Sequence, residues 1–271
     1  MKFDSNLAWK DAASSVSANR DVLLALAGVF IALPTFAMAI FVPPPVPAEG
    51  AKAEASLALM GEYYSHAWPM LIGLALLSLL GTLTMLTLFT DRSRPTVGEA
   101  IKQGARAVLP VIAAQLLFGL AIGIAGSVLL GAAIASGSTA LKLLVGAGLL
   151  LGIAYAAVRV SLVSPVVVVE GLRNPVAALR RSWMLTSANV LRIFLFYALL
   201  LIAFLVIYIL IGSGLGLLVA LVSSGEVAAG INNLIAAFLQ SVLSVYSVAV
   251  AAAVHRQLAG PSAEAAARPF E

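Results

Sequence analysis

Few side chains in this sequence could carry chemistry, and most of them sit inside or beside long apolar runs. Cysteine is absent, and the histidines, His66 and His255, stand far apart. Thiolate chemistry, disulfides and a histidine metal cage therefore have no basis, and no metal or cofactor is expected. The groups left are Arg159, Glu170, Gln115 and Gln240, with a set of cations between the runs: Arg106, Arg180, Arg181 and Arg192. An arginine deep in a bilayer costs about 2.5 kcal/mol or more and marks a polar path or an anionic lipid site. One at the edge lays its stem on apolar surface and reaches the headgroups. For Arg159 the choice depends on where its span ends.

No Walker loop, dinucleotide fingerprint, His-Glu-x-x-His or Gly-x-Ser-x-Gly element occurs. Glycines four apart recur at Gly119 and Gly123, Gly148 and Gly152, and Gly212 and Gly216. In apolar helices such spacing lets two backbones approach closely, so these read as packing faces. The amides Gln115 and Gln240 would bond between helices or line a polar groove, at about 0.6 kcal/mol for an interhelical bond.

The elements that must position these residues are apolar helices. Hydrophobic residues make up 62% of the chain and charged residues 10%, against roughly 25% charged in soluble domains. A hydrocarbon core of about 30 Å takes about 20 residues of helix. Six runs meet that need: 22–42, 68–90, 109–135, 141–158 (or on to 169), 193–222 and 231–254. The class is an all-α integral membrane protein with six transmembrane helices. Residues 1–258 form a single membrane domain and 259–271 a disordered cytoplasmic tail. Ala37-Met38-Ala39 resembles a signal-peptidase site, but the amphipathic lead before it argues against cleavage.

Basic residues divide unevenly between the loops. If the first residues are cytoplasmic, one side receives Lys2, Lys10, Arg20, Arg92, Arg94, Lys102, Arg106, Arg173, Arg180, Arg181, Arg192, Arg256 and Arg268. The other side receives Lys52 and Lys142. Lys and Arg in short loops stay inside, so both termini are expected in the cytoplasm, with a bacterial inner membrane as the address.

One plan recurs three times: a basic amphipathic segment, a span, an outer connection and a returning span, over about 1–90, 91–170 and 171–258. The segments 6–19 and 176–189 both end in Ser-Ala-Asn, and Asn19 and Asn189 are 170 positions apart. The midpoint falls on Gly104, in the middle segment. The spacing predicts a triplicated module of three hairpins, each led by an interfacial helix, with a pseudo-threefold relation. The alternative is chance recurrence in Ala/Leu-rich sequence. In the third segment Val176, Leu179, Trp183 and Leu185 fall mainly on one side of a helix, with Arg180 and Arg181 elsewhere. Asn174 caps its first turn and Pro175 takes the first helical position. Each such arginine is worth about 1 kcal/mol against an anionic leaflet. A short helix is expected over 53–65. Ser161, Ser164 and Pro165 suggest a break after Val158, which would leave Arg159 at the headgroups. Glu170 could pair with Arg180 or Arg181, and His255 would lie at the interface.

The stretch Arg159-Val-Ser-Leu-Val-Ser-Pro-Val-Val-Val-Val-Glu170, followed by Ala177-Ala-Leu-Arg-Arg-Ser-Trp183 and Asn189-Val-Leu-Arg192, resembles the YciC-like group of bacterial membrane proteins. That group includes the membrane domain found beside some glycerophosphodiester phosphodiesterases. The resemblance implies a polytopic inner-membrane protein of loosely defined activity. The attached catalytic domain has no counterpart in this sequence, so the enzymatic name does not transfer.

Three functions are open to test. The first is a non-enzymatic module whose basic cytoplasmic face engages anionic lipid headgroups or a protein partner through Arg180, Arg181, Trp183, Arg192 and Arg106, in envelope, lipid or peptide handling. The second is a transporter or channel with a central cavity lined by Arg159 and Gln115 or Gln240, with Glu170 nearby. The third is a membrane-embedded lipid enzyme using Glu170, His255 or Arg159. No nucleic acid partner is expected.

Overall fold

The computed structural model describes residues 2–48, 50, 52–90 and 95–260. Arg92, Arg94, Arg268 and the expected tail beyond Gly260 lie outside the described residues; Ala259, placed in that tail, is the last residue of a helix. Among the described residues every regular element is helical.

The elements are α1 (Ser5–Ala18), α2 (Arg20–Ala27), α3 (Leu33–Phe41), α4 (Ala53–Thr90), α5 (Val97–Ala135), α6 (Thr139–Val160), α7 (Val163–Val169), α8 (Pro175–Thr186), α9 (Val190–Val222) and α10 (Gly225–Ala259). Six helical lengths are long and apolar enough to cross a bilayer. The chain is built as a multi-pass membrane protein. Between α2 and α3 runs a π turn, Gly28–Ala32. Its cause is Pro34, whose ring would strike the carbonyl of Phe30 in a regular helix. Gly81 of α4 makes room there: a Cβ added to it would collide with Phe30.

Several helices are longer than their apolar runs, α4 and α5 most of all. α4 has 38 residues and α5 has 39, nearly 60 Å each at 1.5 Å per residue and almost twice the hydrocarbon thickness. The helix expected over 53–65 is the beginning of α4, continuous through Pro69. Likewise the middle amphipathic segment is the first turns of α5. A Thr96–Glu99 capping box starts it, and the helix runs unbroken into its span. Gly104, on which the midpoint falls, lies inside it. By contrast, Asn19 caps the separate amphipathic helix α1, and Asn189 ends the 3-10 turn Ser187–Asn189 that follows α8, in nearly the same backbone conformation (φ −130°, ψ 22° and φ −133°, ψ 16°).

Hydrogen bonds draw together the end of the bundle that carries both described termini, here the near end. Gln257, close to the end of α10, exchanges bonds with the backbone of Asp4. Arg256 reaches the carbonyl of Phe89 on α4. One core cluster joins α1, α2 and the last turns of α10; a second joins α4, α5, α7 and α8. Three segments dock there through a shared pattern of alanine, a large apolar residue, a cation, a polar residue and a small residue. These are Ala8-Trp9-Lys10-Asp11-Ala12, Ala100-Ile101-Lys102-Gln103-Gly104 and Ala178-Leu179-Arg180-Arg181-Ser182. In each the first and last residues are buried.

Candidate functional site: a polar junction at the near end

α8 is set by its cap. Asn174 Oδ1 accepts the N–H groups of Val176 and Ala177, as the Asn-Pro pair predicts. The face it turns inward is one of small and polar residues. Ala178, Ser182 and Thr186 are buried, while Val176, Trp183 and Met184 are exposed. Small residues let α8 approach closely, Leu179 and Leu185 pack against the core beside them, and Val176, Trp183 and Met184 face outward.

Ser182 ties α8 to the break between α6 and α7. Its hydroxyl donates to the Arg159 carbonyl (2.8 Å) and accepts the Leu162 N–H (3.3 Å). The helix break expected after Val158 does occur, at Ser161 and Leu162. Arg159 does not reach outward from it, however. Its residue is 6% exposed, with the guanidinium 4.3 Å from the Trp183 ring centroid and 5.6 Å from that of Tyr155. The two rings meet edge to face at 6.0 Å. Nη1 lies 3.5 Å from Thr186 Oγ1, while Nε has no hydrogen-bond partner among the described residues. An aromatic face replaces part of the water such a cation would otherwise need.

Glu170, which ends α7, joins three helices. Its Oε2 accepts from Arg181 Nε at 2.8 Å, and Oε1 lies 3.0 Å from His255 Nε2. The pairing with Arg181 is the one expected; Arg180 is exposed. His255 is buried, with its side chain 2% exposed, at the end of α10 where the last span closes. Beside it, Arg256 bonds Asp11 of α1 through Nε and Nη2 (3.2 and 2.9 Å) and Phe89 O through Nη1 (3.0 Å). Adjacent residues of α10 thus hold α7 with α8, and α1 with α4. No sequence argument linked these residues; two polar groups ending an apolar helix were the one local signal.

A carboxylate against an imidazole can move protons. Here His255 Nδ1 is buried without a partner among the described residues. Two cavities, of about 620 and 550 Å³, adjoin Lys2 and Arg192, and neither is lined by His255, Glu170 or Arg159. Gln115 and Gln240 are exposed along α5 and α10, as are Arg106 and Arg192 near the starts of α5 and α9. Among the described residues no three His, Cys, Asp or Glu side chains gather where a metal would sit. Compared with protein families, curated proteins and solved structures, the chain finds no match in any of the three.

Proposed function

We propose that the chain is a non-enzymatic inner-membrane module whose near end faces the cytoplasm and engages anionic lipid. One observation carries this: among the described residues, the acidic groups at that end have bonds within the protein, and many cations belong to no ion pair. Asp4 caps α1, Asp11 pairs with Arg256, Asp21 with Arg20, Glu99 closes its capping box, and Glu170 serves Arg181 and His255. Lys2, Lys10, Lys102, Arg106, Arg173, Arg180 and Arg192 are exposed and belong to no ion pair among the described residues. The far end offers Lys52 and Lys142. That asymmetry supports a cytoplasmic near end, and exposed Trp183 and Val176 beside Arg180 suit a helix lying at headgroup level.

On this reading the chain belongs with the YciC-like membrane proteins and arose by triplication. The shared docking pattern supports the second point, with the middle copy later than equal spacing predicts: Ala100 stands 92 positions after Ala8 and 78 before Ala178. A transporter path through Arg159 has less support, since Trp183 and Tyr155 cover that side chain. A partner protein at the basic end is the competing occupant.

The test is thermal melting of the detergent-solubilised chain with added phosphatidylglycerol or phosphatidylcholine. Phosphatidylglycerol should raise the midpoint more, and Arg106→Gln with Arg180→Gln should remove part of the difference, at about 1 kcal/mol per cation. Equal stabilisation by both lipids would overturn the proposal.

A further inference from the structure

We infer that a furrow between Lys2 and Arg192 holds one anionic glycerophospholipid, a specific site that rests on the lipid-facing reading above. The two cavities share both cations in their linings, so they meet where Lys2 and Arg192 face each other across the start of α9. One cavity runs from there over the Ser187–Leu191 turn. The other descends past Phe196 onto Leu195 and Leu199. Its floor is closed by the Phe3 ring against that of Phe196, with centroids 5.4 Å apart.

Charge is unbalanced in this furrow. Asp4 lines it too, but its carboxylate accepts the N–H groups of Asn6 and Leu7, and no ion pair joins it to Lys2 or Arg192 among the described residues. Two cations therefore await a phosphate.

An apolar stripe below the cations, along α9, selects a lipid over a soluble anion. Leu195, Leu199, Ile202 and Val206 are exposed at 57%, 67%, 58% and 47%, on one face of the helix. From 195 to 206 the rise is about 16 Å, close to the depth of one leaflet's hydrocarbon, about 15 Å. A diacyl lipid presents these features in the same order: a negative phosphate, then acyl chains of that length. A zwitterionic head would bring its own cation beside Lys2 and Arg192, which favours a phosphatidylglycerol-type head.

Native mass spectrometry of the full chain in detergent, titrated with phosphatidylglycerol or phosphatidylcholine, tests this. The expected result is one tightly retained phosphatidylglycerol. Lys2→Gln with Arg192→Gln should weaken it about thirtyfold, while Arg106→Gln with Arg180→Gln leaves that first lipid in place. Leu199→Asn should weaken it with both cations intact. If the Lys2/Arg192 variant keeps the wild-type affinity, or if Arg106 and Arg180 carry the whole preference, this site is wrong and the broader reading stands. A wild-type chain that binds both lipids equally sinks the broader reading. Displacement by glycerol 3-phosphate at equal affinity would make the site one for a soluble anion, and overturn the lipid.

Discussion

The two ends of this molecule differ in packing as well as in charge. At the near end, helices meet through Ala8, Ala12, Ala100, Gly104, Ala178 and Ser182, and through the bonds of Glu170, His255 and Arg256. At the far end, Leu143, Leu144, Leu150 and Leu151 of α6 are each 70% exposed or more. A Cβ added at Gly119, Gly123, Gly148 or Gly152 would meet nothing within 4 Å. Leucine against leucine gives no reason for two helices to leave lipid, because the acyl chains are as apolar as they are. Small residues and polar bonds decide where the bundle closes. Four-residue glycine spacing permits close approach without causing it. Only the third pair meets a neighbour, with Asn232 Oδ1 and Leu239 of α10 facing Gly216 and Gly212.

The largest effect expected is at Glu170. Glu170→Ala leaves Arg181 and the buried His255 without their acceptor, and losing two hydrogen bonds to a carboxylate costs about 3 kcal/mol. The midpoint of denaturation in mixed detergent should fall accordingly. His255→Leu added to Glu170→Ala should return part of that loss, since removing both partners of a buried bond costs less than removing one. If the double variant is no better than the single one, the imidazole does more than answer the carboxylate.

Next in size is Gly104→Val. A Cβ at Gly104 would lie 2.9 Å from Thr84 Oγ1 and 3.0 Å from Thr84 N, and the backbone atom cannot step aside. Overpacking of that kind costs about 2 kcal/mol. Protease cleavage between α4 and α5 should rise as the contact opens. Unchanged cleavage and melting would mean that the near end is looser than its contacts imply.

These two positions also show what could be read in advance. The Glu170–Arg181 pair was legible because both groups lie within 11 positions, on segments whose helices and caps have local signals. The Asn174 cap and the break after Val158 were legible for the same reason. His255 stands 85 positions from Glu170, and Arg256 stands 245 from Asp11; no periodicity carries that distance. The continuity of α5 was missed because a change from amphipathic to apolar marks a change of surroundings, while the backbone hydrogen bonds continue through it. The cover over Arg159 was not legible, because the charge rule sees a cation and not the Trp183 and Tyr155 rings beside it.

The smallest effect should come from Gly148→Leu, and it discriminates most cleanly between the two ends. With no atom of the chain within 4 Å of the added Cβ, the new side chain enters lipid. Exchanging glycine for leucine within a helix is favourable by about 0.7 kcal/mol, so stability should hold or rise slightly. The same exchange at Gly104 would be ruinous, although both glycines sit in long helices of similar composition. A loss of more than about 1 kcal/mol at Gly148, together with a lower mass in detergent, would show a second copy packed against α6. The far end would then be an interface, and its glycine spacing would close contacts between chains as the near-end alanines close them within one.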